Sequence, residues 1–303
     1  MTQSVSAAPR RKKPIRRAQV ILHMVFIIIC ASYILPLALT VAISFSTQAD
    51  IINYGYSLIP RTWTGESYRL IFKNPTQIID SYAVTAAFSF VGMALMLIVQ
   101  SSCAYAISRQ NCSFRKIVTY LLFFTMLFSG GLVPSYVVNS KYLGLKNSFW
   151  IYVLPTLVSA WNIFVMRTNF KQLPEGLIEA AKIDGASEIR ICYQIVMPLS
   201  VPVLATLAFT YFVGQWNSWT TCMIYITDPK MFSLQYLLQK ILSEVEYLKQ
   251  MVAEGMFSEA QLDISTDSLT YAMAMVAAGP VLVLFPLFQK YFVKGMTIGS
   301  IKG

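Results

Sequence analysis

Six apolar runs, each long enough to cross a bilayer and none containing Asp, Glu, Lys or Arg, constrain this chain more than any other feature. They are Val20–Phe45, Tyr82–Ile107, Ile117–Val138, Ser148–Met166, Leu199–Ile226 and Leu269–Gln289. A hydrocarbon core needs about 20 largely apolar residues in a helix, and backbone surrounded by lipid must satisfy its own hydrogen bonds. The expected fold class is therefore all-α integral membrane, with six transmembrane helices. Composition agrees: 56 % of residues are hydrophobic and 13 % charged, with a mean hydropathy of +0.56. A soluble domain carries about 25 % charged residues. A cytosolic enzyme, a secreted disulfide domain and a disordered chain are all excluded.

The net charge of +10 is a topology signal rather than a nucleic-acid footprint. With the N-terminus inside, sixteen of the 24 Lys and Arg fall on the cytoplasmic side and eight outside. That asymmetry is the positive-inside pattern. The acids run the other way, four inside and ten outside. Both termini are thus expected in the cytoplasm. The expected organisation is a basic segment over residues 1–19, a six-span body over 20–292 and a cytoplasmic tail over 293–303. The first run follows Arg10-Arg11-Lys12-Lys13 and Arg16-Arg17. It is too long for a signal-peptide core, no clean cleavage site follows, and it reads as a retained anchor. Pro36, Gly130-Gly131, Pro155, Pro202, Gly214, Gly279-Pro280 and Pro286 mark expected kinks or close contacts.

The spans lack ionisable groups apart from His23, near the cytoplasmic end of the first. Intramembrane charge is the usual mark of proton relays and ion coupling, so ion-driven transport has no apparatus here. No G-x-x-x-x-G-K-[ST] loop is present to cradle phosphate, nor a hydrolase signature such as H-E-x-x-H or G-x-S-x-G. No catalytic residue or metal site is assigned. The five cysteines are dispersed and form no C-x-x-C pair. Uphill transport by this chain would need work from a separate ATPase.

Residues 167–198 form the one long inside loop. Pro174 followed by Glu175 suits a helix start, with proline at the first helical position and an acid near the positive dipole end. Leu177, Ile178 and Ala181 are expected on one side of that helix. Gly185 permits a sharp change of direction, and a second helical run, Ser187–Val196, is expected to close at Pro198. Two short helices meeting at a glycine would lie on the inner surface, where an amphipathic helix with no partner is the plain alternative.

Within that loop, Glu179-Ala180-Ala181, Gly185 four positions on, and Ile195 with Pro198 resemble the EAA loop of bacterial ABC-importer permeases. Met197 stands where that pattern has leucine, a volume-conserving change. The string Glu179-Ala-Ala-Lys-Ile-Asp-Gly-Ala186 is similar to the form found in the carbohydrate-uptake branch. Together with Trp216-Asn217 and the close Lys294-Gly295-Met296-Thr297 through Lys302-Gly303, the chain resembles maltose-type permeases. Within these it is most similar to those of oligosaccharide and alginate importers. The resemblance implies the type I importer permease fold in a bacterial inner membrane. It implies a second, homologous permease subunit, two copies of a cytoplasmic ABC ATPase and an extracytoplasmic sugar-binding protein. ATP and magnesium would be bound by the ATPase, leaving this chain with no cofactor of its own. Glu179, Ala180, Ala181, Asp184, Gly185, Ile195 and Pro198 would carry the ATPase contact, and the acidic outer loop 227–268, helical over Leu234 to Val252, would reach toward the binding protein. A permease for a polyamine, phosphonate or peptide shares the loop, and a non-transporting receptor or scaffold is the rival of another class.

A sugar pathway needs aromatic faces and hydrogen-bonding groups in an enclosed cavity. Gln215, Trp216, Asn217 and Trp219 supply these near the outer end of the fifth run, with Asn162 and Gln100 as further polar candidates. Each is equally accounted for by an interhelical hydrogen bond or an interfacial belt. The topology is directly testable in a cysteine-free background. A cysteine placed at Lys230 should react with a membrane-impermeant thiol reagent in intact cells, and one at Glu175 only after permeabilisation; the opposite pattern would invert the orientation.

Overall fold

The computed structural model describes residues 17–254 and 266–299. Most of the basic N-terminal segment, Glu259, Asp263, Lys302 and Gly303 lie outside these. Among the described residues there is no β-strand, only a lone antiparallel bridge between Ser46 and Trp63. Three helices are long and apolar enough to span a membrane unaided: α1 (Arg17–Ser44), α4 (Pro75–Ser108) and the last, α14 (Thr266–Gly299). At the end of the bundle expected to face outward, two short helices, α2 (Gln48–Tyr54) and α3 (Glu66–Ile71), join α1 to α4.

The other three apolar runs, each with a proline or glycine pair expected to kink it, are bent rather than straight. The third divides into α5 (Arg115–Leu127) and α6 (Leu132–Tyr142) at 118°. The break falls at Gly130-Gly131, where Gly131 has φ +81°, a left-handed conformation that glycine adopts without a Cβ clash. The fourth divides into α7 (Phe149–Thr156) and α8 (Ala160–Lys171) at 52°. There the Ser159 side chain accepts from the Asn162 backbone N–H to start α8. The fifth is preceded by α10 (Glu188–Leu199), which meets α11 (Val201–Trp216) at 85°. Its outer end separates at Asn217–Trp219 before α12 (Thr220–Tyr225).

α4 is the central post. Proline at its N-terminus suits a helix start, and the helix continues for 34 residues because nothing in it breaks the ladder. Two cores pack on it at different depths. The outer one gathers Phe88, Tyr152, Phe212, Trp216 and Leu269, with Phe88 and Tyr152 stacked at 4.3 Å. The inner one gathers Met96, Ala104, Ile163, Met166, Phe170 and Ile191. Between the two, Gly92 lets Tyr211 approach so closely that a Cβ there would lie 2.5 Å from the phenol oxygen.

Polar groups inside the bundle are spent on joining helices. Gln215 Nε2 lies 2.9 Å from the Tyr152 carbonyl, 2.5 Å from Thr156 Oγ1 and 2.8 Å from Tyr211 Oη. Trp216 Nε1 donates to the Ala277 carbonyl at 2.9 Å, and Tyr82 Oη donates to the Val276 carbonyl. Gln100 Nε2 donates to the Leu157 carbonyl at 2.8 Å. Replacing Gln215 with Leu should strand the acceptors it serves, at a cost of about 1–2 kcal/mol. The expected result is a lower unfolding temperature in detergent with membrane insertion intact, read by a thermal shift of the purified protein.

Candidate functional site

The loop between α8 and α11 is built around one turn. Pro174 has φ −57° and ψ 124°, so it precedes α9 (Glu175–Ile183) as its cap rather than occupying the first helical position expected from the sequence. Ile178 and Ala181 are buried and pack on the inner core beside Phe170 and Met166. Leu177, expected on that side, is 47 % exposed instead. Adjacent helix positions are about 100° apart, and a stripe as narrow as Ile178–Ala181 leaves its neighbour outside.

α9 ends in a left-handed glycine cap. Gly185 has φ +77°, its N–H bonds to the Lys182 carbonyl at 3.0 Å, and the Ala186 N–H bonds to the Ala181 carbonyl at 2.9 Å. This pair of bonds closes the helix and turns the chain. A Cβ on Gly185 would meet open space, so the demand for glycine there is conformational, not steric. Ser187 then caps α10, its oxygen accepting from the Arg190 N–H at 3.3 Å. α10 runs through a π turn at Cys192–Val196 and ends at Leu199, one residue beyond Pro198. The helix therefore passes the proline that was expected to stop it. Widening of the preceding turn, beside a residue with no N–H to donate, accommodates it.

The outcome is a helix with two unlike faces. Ala181 faces the bundle, whereas Glu179, Ala180, Asp184 and Gly185 are exposed. Ile195 is half-buried and Pro198 exposed at the approach to α11, so neither shares the outward face of α9. Two apolar residues not singled out from the sequence join the exposed side of the loop: Ile183, 86 % exposed, and Ile189, 72 % exposed. The available signal for Ile183 was its position three residues after Ala180, opposite the buried stripe.

Glu188 anchors the loop to the bundle. Its carboxylate is 2.6 Å from Lys182 Nζ and accepts a hydrogen bond from Tyr105 Oη. Lys182 first, then Tyr105, holds this carboxyl below its ordinary range. The contact is therefore complete at neutral pH and weakens only as pH falls through that depressed value.

In the loop 227–268, expected to lie outside, the chain forms α13 (Leu234–Ala253). Leu234, Leu237, Leu238 and Val245 are buried against the outer core, and the Leu234 N–H bonds to Thr85 Oγ1 at 2.8 Å. Glu244 and Glu246 remain exposed. The pathway candidates divide. Gln215, Trp216 and Gln100 are buried with their donors committed between helices. Asn217 and Trp219 are exposed together at the end of α11, and Asn162 is half-buried in the first turn of α8.

Residues 114–298 match the family described as "Binding-protein-dependent transport system inner membrane component". The chain is 36 % identical to Protein LplC of Bacillus subtilis over 89 % of its length and 90 % of that protein. It is likewise 36 % identical to the polygalacturonan/rhamnogalacturonan transport system permease protein YtcP of Bacillus subtilis, over 92 % of this chain and 95 % of that one. A crystal structure of a bacterial ABC transporter involved in the import of the acidic polysaccharide alginate contains a chain of the same fold. That likeness has a TM-score of 0.74 at 24 % identity and covers 93 % of this chain and 100 % of that chain. With the family match extending from α5 into α14, this chain belongs to the inner-membrane components of binding-protein-dependent transport systems.

Proposed function

We propose that the chain is one permease subunit of an ATP-driven, binding-protein-dependent importer of oligosaccharides, including acidic, uronate-containing ones. It lines half of a translocation pathway shared with a second, homologous permease and hydrolyses nothing itself. The observation that carries the reading is the outward face of α9. Leu177, Glu179, Ala180, Ile183, Asp184 and Gly185 stand exposed on a short helix whose other face is packed into the bundle. Such a face suits a cleft on a cytoplasmic ATPase: small residues admit close approach, the acids supply anchors and Ile183 an apolar plug. The buried face then delivers the push to α8 and α4, in a subunit whose two termini are inside.

The substrate class follows from YtcP, named for polygalacturonan and rhamnogalacturonan transport, as a relative along nearly the whole chain. Asn217 and Trp219 supply the hydrogen-bonding and stacking groups that a saccharide needs at the outer mouth, and α13 offers the acidic outer surface for a sugar-loaded binding protein.

In membranes holding the complete transporter, deleting 175–195 should abolish co-purification of the ATPase. Gly185→Asp, which puts a side chain on a φ of +77° and a charge on the docking face, should reduce oligosaccharide uptake by an order of magnitude or more while the subunit still inserts. Gly185→Ala, which adds the conformational strain without the charge, should give uptake between those of the unaltered subunit and Gly185→Asp. Retained ATPase binding in the deletion, or undiminished uptake in Gly185→Asp, would overturn the reading.

A further inference from the structure

The carboxylate of Glu188 touches more of the structure than a cap needs. It sits in the first turn of α10, just past the Gly185 turn. One oxygen reaches Lys182 Nζ at 2.6 Å, back across that turn on α9. The other accepts from Tyr105 Oη, on the last turns of α4. A single carboxylate thereby joins both helices of the loop to the central post of the bundle.

The surrounding groups extend this join. The Tyr105 ring carries the Arg109 guanidinium at 4.9 Å from its centroid, and Arg109 Nη2 donates to the Phe170 carbonyl at the end of α8 at 3.4 Å. Further along α10, the hydroxyls of Tyr193 and Ser102 lie 2.6 Å apart, giving a second polar contact with α4. A cavity of about 360 Å³ has residues of both contacts, Ser102, Tyr105, Lys182, Glu188 and Tyr193, on its walls. α10 therefore sits against α4 in two ways: Ile191, Cys192 and Val196 share the apolar core with Met96, Ala104 and Ile107, and discrete polar contacts face an open cavity beside it. Side chains arranged so can exchange partners as α10 tilts, whereas close-packed apolar surfaces resist small displacements. Lys182 and Glu188 are also partly solvated, with side chains 39 % and 57 % exposed. A solvated pair of this kind stabilises the fold little, which leaves it free to serve a moving part.

We propose that Tyr105, Glu188 and Lys182 act as positioning residues that fix the angle of the Gly185 turn and carry movement of α9 and α10 into α4. The proposal rests on the reading that an ATPase docks on α9. α10 meets α11 at 85° and so drives the fifth span; the Tyr105–Glu188 contact adds the second span to the same stroke. With the contact broken, ATP hydrolysis continues while α4 lags.

The test uses the complete transporter, with both permeases, ATPase and sugar-loaded binding protein, reconstituted in proteoliposomes. The readout is oligosaccharide delivered per ATP hydrolysed. Tyr105→Phe removes one hydroxyl and keeps the ring, and Glu188→Gln keeps the shape but loses the charge. Each should lower that ratio roughly three- to tenfold with the ATPase still bound. The double variant should lower it no further than the worse single one, because both act on one contact. Lys182→Arg, which preserves the ion pair, should retain the ratio. An unchanged ratio in Tyr105→Phe and Glu188→Gln would overturn the proposal. Loss of the assembled complex in Tyr105→Phe would also overturn it, by making the hydroxyl a purely structural contact. Failure of the docking reading is separate and appears as ATPase binding that survives deletion of 175–195.

Discussion

The structure depends on α4 remaining one uninterrupted helix from Pro75 to Ser108, the length of the bundle. Its 34 residues carry no charge between Asp80 and the Arg109 that follows. Inside a bilayer, a straight helix with a complete hydrogen-bond ladder is the form of backbone that needs no neighbour to satisfy it. The bent runs do need neighbours, and α4 supplies them. Phe88 and Met96, two turns apart, belong to the outer and inner cores respectively. A shift of this helix would disturb both.

Without a strong hydrophobic drive between helices in lipid, side-chain hydrogen bonds and close approach at small residues set how the spans assemble. Gln100 and Gln215 tie α4 and α11 to the α7–α8 region, Trp216 and Tyr82 tie α11 and α4 to α14, and Gly92 allows Tyr211 its place. The same economy governs the loop. Ile178 and Ala181 hold α9 to the bundle, while Glu179, Ala180, Ile183 and Asp184 stand exposed on its other side.

Much of this was legible in the sequence because the responsible physics is local. Charge-free runs, proline and glycine positions, and the Pro174-to-Pro198 pattern each report on a few neighbouring residues. They located the two loop helices, the Gly185 turn and the helix beginning at Leu234. Bend angles were not legible: Gly130-Gly131 announces a break, but 118° is set by what α5 and α6 pack against. The roles of Gln215 and Trp216 were also hidden. An amide or indole in an apolar run can line a cavity or bridge helices, and the choice depends on carbonyls 61 to 63 residues away. Tyr105 and Glu188, 83 residues apart, escaped for the same reason. Leu177 was misplaced because a three-residue window cannot separate the edge of a buried stripe from its centre.

In the proposed transporter α9 presents one face to a cytoplasmic ATPase and packs the other, through Ile178 and Ala181, into the membrane bundle. Single cysteines at Ala180, Ile183, Ile178 and Ala181, cross-linked to the ATPase in the assembled transporter, test this arrangement most directly. Cross-links are expected from the exposed Ala180 and Ile183 and none from the buried Ile178 and Ala181. Cross-links of equal strength from all four, or from the buried pair alone, would contradict it.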